Sequence, residues 1–201
     1  NVALEDINVT GGNWTGGLAG YAVSSTKITN SYATGSVTGT EKTGGLVGFV
    51  IGSITNSYAT GSVEGTGYYT GGLVGWAYDS TITNSYATGS VEGISEVGVG
   101  GLVGYANEST KITNSYATGS VEGTGGYTGG LVGYTGSNTT ITNSYATGSV
   151  LGKTYTGGLV GWAHNLSTIT NSYATGKVTG TSYTGGLVGY ARDSTITNSY
   201  A

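Results

Sequence analysis

From Thr70 to Gly93 the chain reads TGGLVGWAYDSTITNSYATGSVEG. Its apolar residues follow no helical spacing, and its short Thr-, Tyr-, Val- and Ile-rich runs are bounded by glycine, the pattern of strands between turns. A helix would lose up to ~1 kcal/mol at each internal glycine relative to alanine. The stretch is also one copy of many. ITNSYA recurs with its isoleucine at Ile28, Ile54, Ile82, Ile112, Ile141, Ile169 and Ile196. GGLVG or GGLAG recurs with its leucine at Leu18, Leu46, Leu73, Leu102, Leu131, Leu159 and Leu187. Length varies only between the GGLVG aromatic and the next ITNS, and between the SV run and the next TGG, as loops joining stacked strands would vary.

A period of about 28 residues supplies three short strands and three turns, one coil of a parallel β-solenoid. The predicted fold is therefore all-β: a parallel β-solenoid (β-helix) of about seven coils, right-handed because parallel crossovers in one sheet usually are. Coils would lie ~4.8 Å apart, placing each residue over its counterpart in the next repeat. The isoleucines Ile28, Ile54, Ile82, Ile112, Ile141, Ile169 and Ile196 and the seven leucines then form core ladders, joined by Val37, Val63, Val91, Val121, Val150 and Val178. Asn30 and its six equivalents read as a turn column. If Asn bends the chain, Ala33 and Val37 face inward and Tyr32 outward; without a bend Ile28, Asn30 and Tyr32 share a face. The bend is the expected geometry, since asparagine tolerates left-handed backbone.

Composition removes several classes. Of 201 residues 41 are glycine, with no proline, cysteine or methionine, and the net charge is -4. No proline means no collagen-like helix, and no cysteine means no disulfide framework or thiolate zinc site. Six Lys and Arg give no footprint for nucleic acid, and no apolar run is long enough for membrane insertion. No catalytic residue is assigned and no cofactor is expected. The lone His164 lies in a variable joint and reads as a loop residue. Gly148 to Thr154 is one residue short of a phosphate loop and has no following helix.

The repeated Gly-Leu-any-Gly core, here Gly17-Leu18-Ala19-Gly20 and Gly72-Leu73-Val74-Gly75 with ITNSYATGSV following, resembles the bacterial GLUG repeat. That resemblance covers nearly the whole chain after residue 14. It implies a spacer or binding region of a large secreted protein, adhesin-like or accompanying a metallopeptidase, at an extracellular or cell-surface location. It carries over no catalytic residue, and no HExxH motif is present.

Four surface features are candidates for function. Glu64, Glu92 and Glu122 occupy one position in successive repeats and form a weak candidate calcium ladder, with a screened acidic row the favoured reading. Tyr21, Phe49, Trp76, Tyr105, Tyr134, Trp162 and Tyr190 form an aromatic column that would stack on glycans or clamp the rod, and Trp14, Tyr69, Tyr127, Tyr155 and Tyr183 most of a second. Thr-Ile-Thr at 81–83, 140–142, 168–170 and 195–197 would present two hydroxyl ranks, as in solenoidal antifreeze proteins, with Lys27, Ser53 and Lys111 interrupting one. Five N-x-S/T triplets (Asn8, Asn13, Asn107, Asn138, Asn165) are potential glycan acceptors.

The ends match each other. Residues 1–13 read as a strand-like assembly arm ahead of one solenoid over residues 14–201, in which Val9-Thr10-Gly11 aligns with Val37-Thr38-Gly39. The chain stops after ITNSYA. Val2, Leu4, Ile7 and Val9 at one end and Ile196 and Tyr200 at the other are the expected assembly edges of a head-to-tail homopolymer. The leading functional expectation is a non-catalytic extracellular fibre or adhesin stalk; carbohydrate binding and ice binding are the alternatives.

Overall fold

The computed structural model describes residues 1–94 and 97–201. Among these the chain is a parallel β-solenoid with three sheets of 12, 12 and 7 strands, every pairing parallel. The repeat at 70–93 shows one turn. Thr70–Gly71 joins the seven-stranded sheet, Val74–Tyr78 and Thr81–Thr83 the second, and Tyr86–Ala87 and Val91–Gly93 the third.

Three faces match the expectation of three strands per coil, but two of them are broken into paired short runs. Asp79, at φ 43°, turns the chain between Tyr78 and Thr81. Gly89 interrupts the other face, where the backbone of the preceding turn is so close that a Cβ would sit 1.9 Å from the Gly61 carbonyl oxygen. Nearer the N-terminus the same faces run unbroken, as Ala19–Thr29, Tyr32–Gly39 and Val47–Thr55.

Equivalent residues stack. Ile82 pairs with Ile54 on one side and Ile112 on the other, Tyr86 with Tyr58 and Tyr116, Val91 with Val63 and Val121. Leu46, Leu73, Leu102, Leu131 and Leu159, with Ile54, Ile82, Ile112, Ile141 and Ile169, are fully buried and run down one continuous core with the SYA alanines. Each such side chain contributes about 1.5–3 kcal/mol. The expected ladders change at the ends: Leu18, Leu187 and Val178 are only half-buried, and Ile196 is 41% exposed. A terminal turn has a neighbour on one side only, so its inward residues are covered on one side only.

The asparagine bend is present in all seven turns, with φ between 48° and 51°. It throws Ser31 and Ala33 inward and leaves Tyr32 at the surface, half-buried. The side chains also bond from turn to turn: Asn56 Nδ2 donates to Asn30 Oδ1 at 3.2 Å and Asn84 Nδ2 to Asn56 Oδ1 at 3.2 Å.

Strand Ala3–Thr10 lies against Tyr32–Gly39, with Val9 opposite Val37 and Thr10 opposite Thr38, the alignment expected from sequence. Residues 1–13 thus supply the outermost strand of the third sheet; Leu4 and Ile7 pack on the core while Val2 is 42% exposed.

Candidate functional surface

Ladders are the chemistry of this molecule, and the most regular one is buried. Ser57 N–H donates to Ser85 Oγ at 3.2 Å, Ser85 N–H to Ser115 Oγ at 3.2 Å and Ser115 N–H to Ser144 Oγ at 3.2 Å. Each hydroxyl in turn donates to the carbonyl two residues back, as Ser85 Oγ does to Thr83 at 2.8 Å. Just after the Asn bend the backbone amide has no strand partner, and this column satisfies it inside the core. A second column sits where the two short runs of the second sheet meet: Thr110 Oγ1 donates to the Asn107 carbonyl at 2.6 Å, and Ser167 Oγ to that of His164 at 2.6 Å. Neither column stood out from the sequence, because serine in a glycine-rich repeat reads as turn. Their signal was recurrence at a fixed offset, directly after Asn for the first column and two residues before the ITNS isoleucine for the second.

A third hydroxyl column lacks partners. Thr43, Thr70, Thr128 and Thr156 have buried Oγ1 atoms without a hydrogen bond. Val99 takes the same register position between Thr70 and Thr128. The hydroxyl lies against a glycine of the preceding strand; a Cβ on Gly123 would stand 2.2 Å from Thr128 Oγ1.

Three aromatic columns run along the outside. The SYA tyrosines form one stack from Tyr32 to Tyr200, with interior rings such as Tyr58 and Tyr86 4.8 Å apart and 3° from parallel. Its first member donates to Glu5 Oε1 at 2.6 Å, a bond that also raises the Tyr32 phenol pKa. The column Tyr21, Phe49, Trp76, Tyr105, Tyr134, Trp162, Tyr190 is in strict register. It is not a free platform. The second column leans over it: Tyr69 stacks on Tyr105 at 4.8 Å, while Tyr127 meets Trp162 at 4.9 Å and Tyr155 meets Tyr190 at 5.4 Å in tilted contacts. Phe49 is buried, and burial raises the phenol pKa values of Tyr69, Tyr105 and Tyr134. These rings therefore clamp one another, and the exposed members of the two columns are Trp14 and Tyr21 at one end and Tyr183 at the other. Lys42 fills a place in that column, its ammonium 5.7 Å from the Trp14 ring and 5.8 Å from Trp76, with Glu41 paired to it at 3.0 Å.

The remaining candidates fall as follows. Glu64, Glu92 and Glu122 stack in register and are exposed. Among the described residues no three His, Cys, Asp or Glu side chains lie close enough to hold a metal ion. One threonine rank is unbroken, Thr29, Thr55, Thr83, Thr113, Thr142, Thr170 and Thr197. The other contains Lys27, Ser53 and Lys111, as read from sequence. His164 packs edge-on against Trp162 at 5.1 Å.

With the Gly-Leu-any-Gly turns now seen as one structural unit repeated, the family comparison is decisive. The GLUG motif matches residues 5–38, 39–64, 66–92, 95–122, 124–151, 152–179 and 180–201. The chain belongs to the GLUG-motif family. Those seven matches coincide with the turns of the solenoid, so a GLUG motif is one coil. Its Gly-Gly-Leu corner is tight: a Cβ on Gly72 would stand 2.1 Å from the Gly101 carbonyl oxygen of the next coil. No curated protein and no solved structure matches the chain.

Proposed function

We propose that this GLUG solenoid is a non-catalytic structural rod, the stalk of a surface adhesin or the subunit of an extracellular fibre. The observation that carries this reading is the unbroken register of equivalent residues, from Thr29 to Thr197 on one face and from Tyr32 to Tyr200 on another. A cross-section repeated in this way can be lengthened by whole turns without redesign, which is what a spacer needs. The stacked rings and the hydroxyl and amide ladders add bonds that run along the rod axis. An extracellular place is favoured by composition: with no cysteine and no methionine, the chain offers oxidants neither thiol nor thioether.

The end edges fit assembly. Leu4, Ile7 and Val9 lie on the outermost strand Ala3–Thr10, just after the exposed Val2, and Ile196, 41% exposed, on Thr195–Thr197, while Tyr200, 61% exposed, bridges to Tyr173. Another turn completes such an edge, whether it comes from the same polypeptide or from another copy of the chain. Electron microscopy of the chain, beside a version with three extra central turns, tests both points. The rod reading predicts constant width and ~14 Å of added length; compact particles of unchanged length would refute it. Filaments at high concentration support head-to-tail assembly, and short monodisperse particles overturn it.

A further inference from the structure

The loops that precede the second aromatic column differ in length, and their mismatch makes a hollow. Three residues separate Gly123 from Tyr127, but only two separate Gly152 from Tyr155 in the next turn. The loops cannot stack residue on residue, and a depression of about 310 Å³ opens between them, lined by Thr124, Gly126, Tyr127, Lys153, Thr154 and Tyr155. The same three-to-two mismatch occurs between Gly65–Tyr69 and Gly39–Lys42. There the residue before the column aromatic is Tyr68 rather than Gly126. Both offer their carbonyl to the column residue of the shorter loop, Tyr68 to Lys42 N–H at 2.6 Å and Gly126 to Tyr155 N–H at 2.7 Å. The order is reversed between the two: the longer loop follows the shorter one at Tyr68 and precedes it at the hollow, where Gly126 brings no side chain.

We propose that this hollow between residues 123–127 and 152–155 binds an acidic saccharide, one hexuronic acid unit of an oligosaccharide. Its volume sits at the lower bound of small-molecule sites, about 300 Å³, the scale of a single sugar ring. Tyr127 and Tyr155, 5.4 Å apart and tilted by 36°, supply the aromatic wall, onto which the C–H face of a pyranose packs through the negative π-cloud. They are held from behind by Trp162, at 4.9 and 5.5 Å, so the wall is formed before a ligand arrives. Thr124 and Thr154 bring hydroxyls for sugar hydroxyls. The acidic preference comes from Lys153, which makes no ion pair among the described residues, whereas Lys42 and Arg192 do. A carboxylate placed on the ring would take its ammonium as a charge-assisted partner.

The test is calorimetric titration of the 201-residue chain with a hexuronic acid oligosaccharide. The control is the same oligosaccharide with its carboxylates reduced to alcohols. The acid form should bind at least about tenfold more tightly. Lys153→Gln should erase that difference, and Gly126→Tyr, which puts a ring on the lining of the hollow, should abolish binding of both with an unchanged circular dichroism spectrum. Equal affinities, no binding of either, or full binding by Gly126→Tyr would overturn the proposal. If Gly126→Tyr disturbs the fold, the solvent-facing Lys153→Gln decides alone. The rod reading is tested by imaging and does not depend on the result.

Discussion

Ile82 and Ile196 sit in the same tripeptide, Thr-Ile-Thr, on the same face of the same sheet. One is fully buried and the other is 41% exposed. Nothing local distinguishes them; Ile82 has a coil on each side, and Ile196 has one. Leu102 and Leu187 differ in the same way within GGLVG. Burial in this molecule is a property of the neighbours, and stability should follow position along the rod rather than residue type.

The largest effect that sharpens this contrast comes from Ile112→Ala against Ile196→Ala. The interior change should cost about 2–5 kcal/mol in urea unfolding, and the terminal one less than ~1 kcal/mol. Equal costs would break the comparison. Next is the serine ladder. Ser115→Ala leaves the buried Ser85 amide without its acceptor, an expected loss of about 1–3 kcal/mol. Ser199→Ala should cost less, because water can reach the last turn. Alkaline pH acts on the interior too. Burial keeps Tyr69, Tyr105 and Tyr134 protonated beyond the ordinary tyrosine range. Above pH ~10 the unfolded chain therefore loses protons that the folded chain retains. Stability should hold below that pH and fall as it rises further. Urea midpoints at pH 8, 10 and 11, with tyrosinate absorbance in parallel, check the sign; flat midpoints would contradict it. The smallest effect is Thr128→Val. Its hydroxyl has no partner and Val99 already occupies the column, so a change within ~0.5 kcal/mol or a small gain is expected. A loss above ~1.5 kcal/mol would mean an unseen bond.

The repeat made the fold legible before any coordinates: constant blocks with variable joints specify register, and register specifies the isoleucine, leucine and asparagine columns. Polar contents of the core were less legible. Ser85 and Thr110 have the letters of surface turns, and only a corner closed by neighbouring coils turns those hydroxyls inward. The aromatic surface was half legible. Columns followed from spacing, but which ring covers which depends on a corner where Trp14, Lys42 and Tyr69 adopt left-handed backbone, with φ of 56°, 52° and 64°. Non-glycine residues rarely do so, and no composition rule selects these three. The hollow beside Lys153 arises from a single-residue difference between loops, readable only once the loops are known to be neighbours.

Spin labels on cysteines placed at Thr29 and Thr197 measure the stacking most directly, since the native chain has no cysteine. Both positions are exposed and lie in one column, six pairings apart. Six backbone spacings predict a narrow dipolar distance centred near ~29 Å. A broad distribution, or a peak well beyond ~40 Å, would contradict the in-register rod.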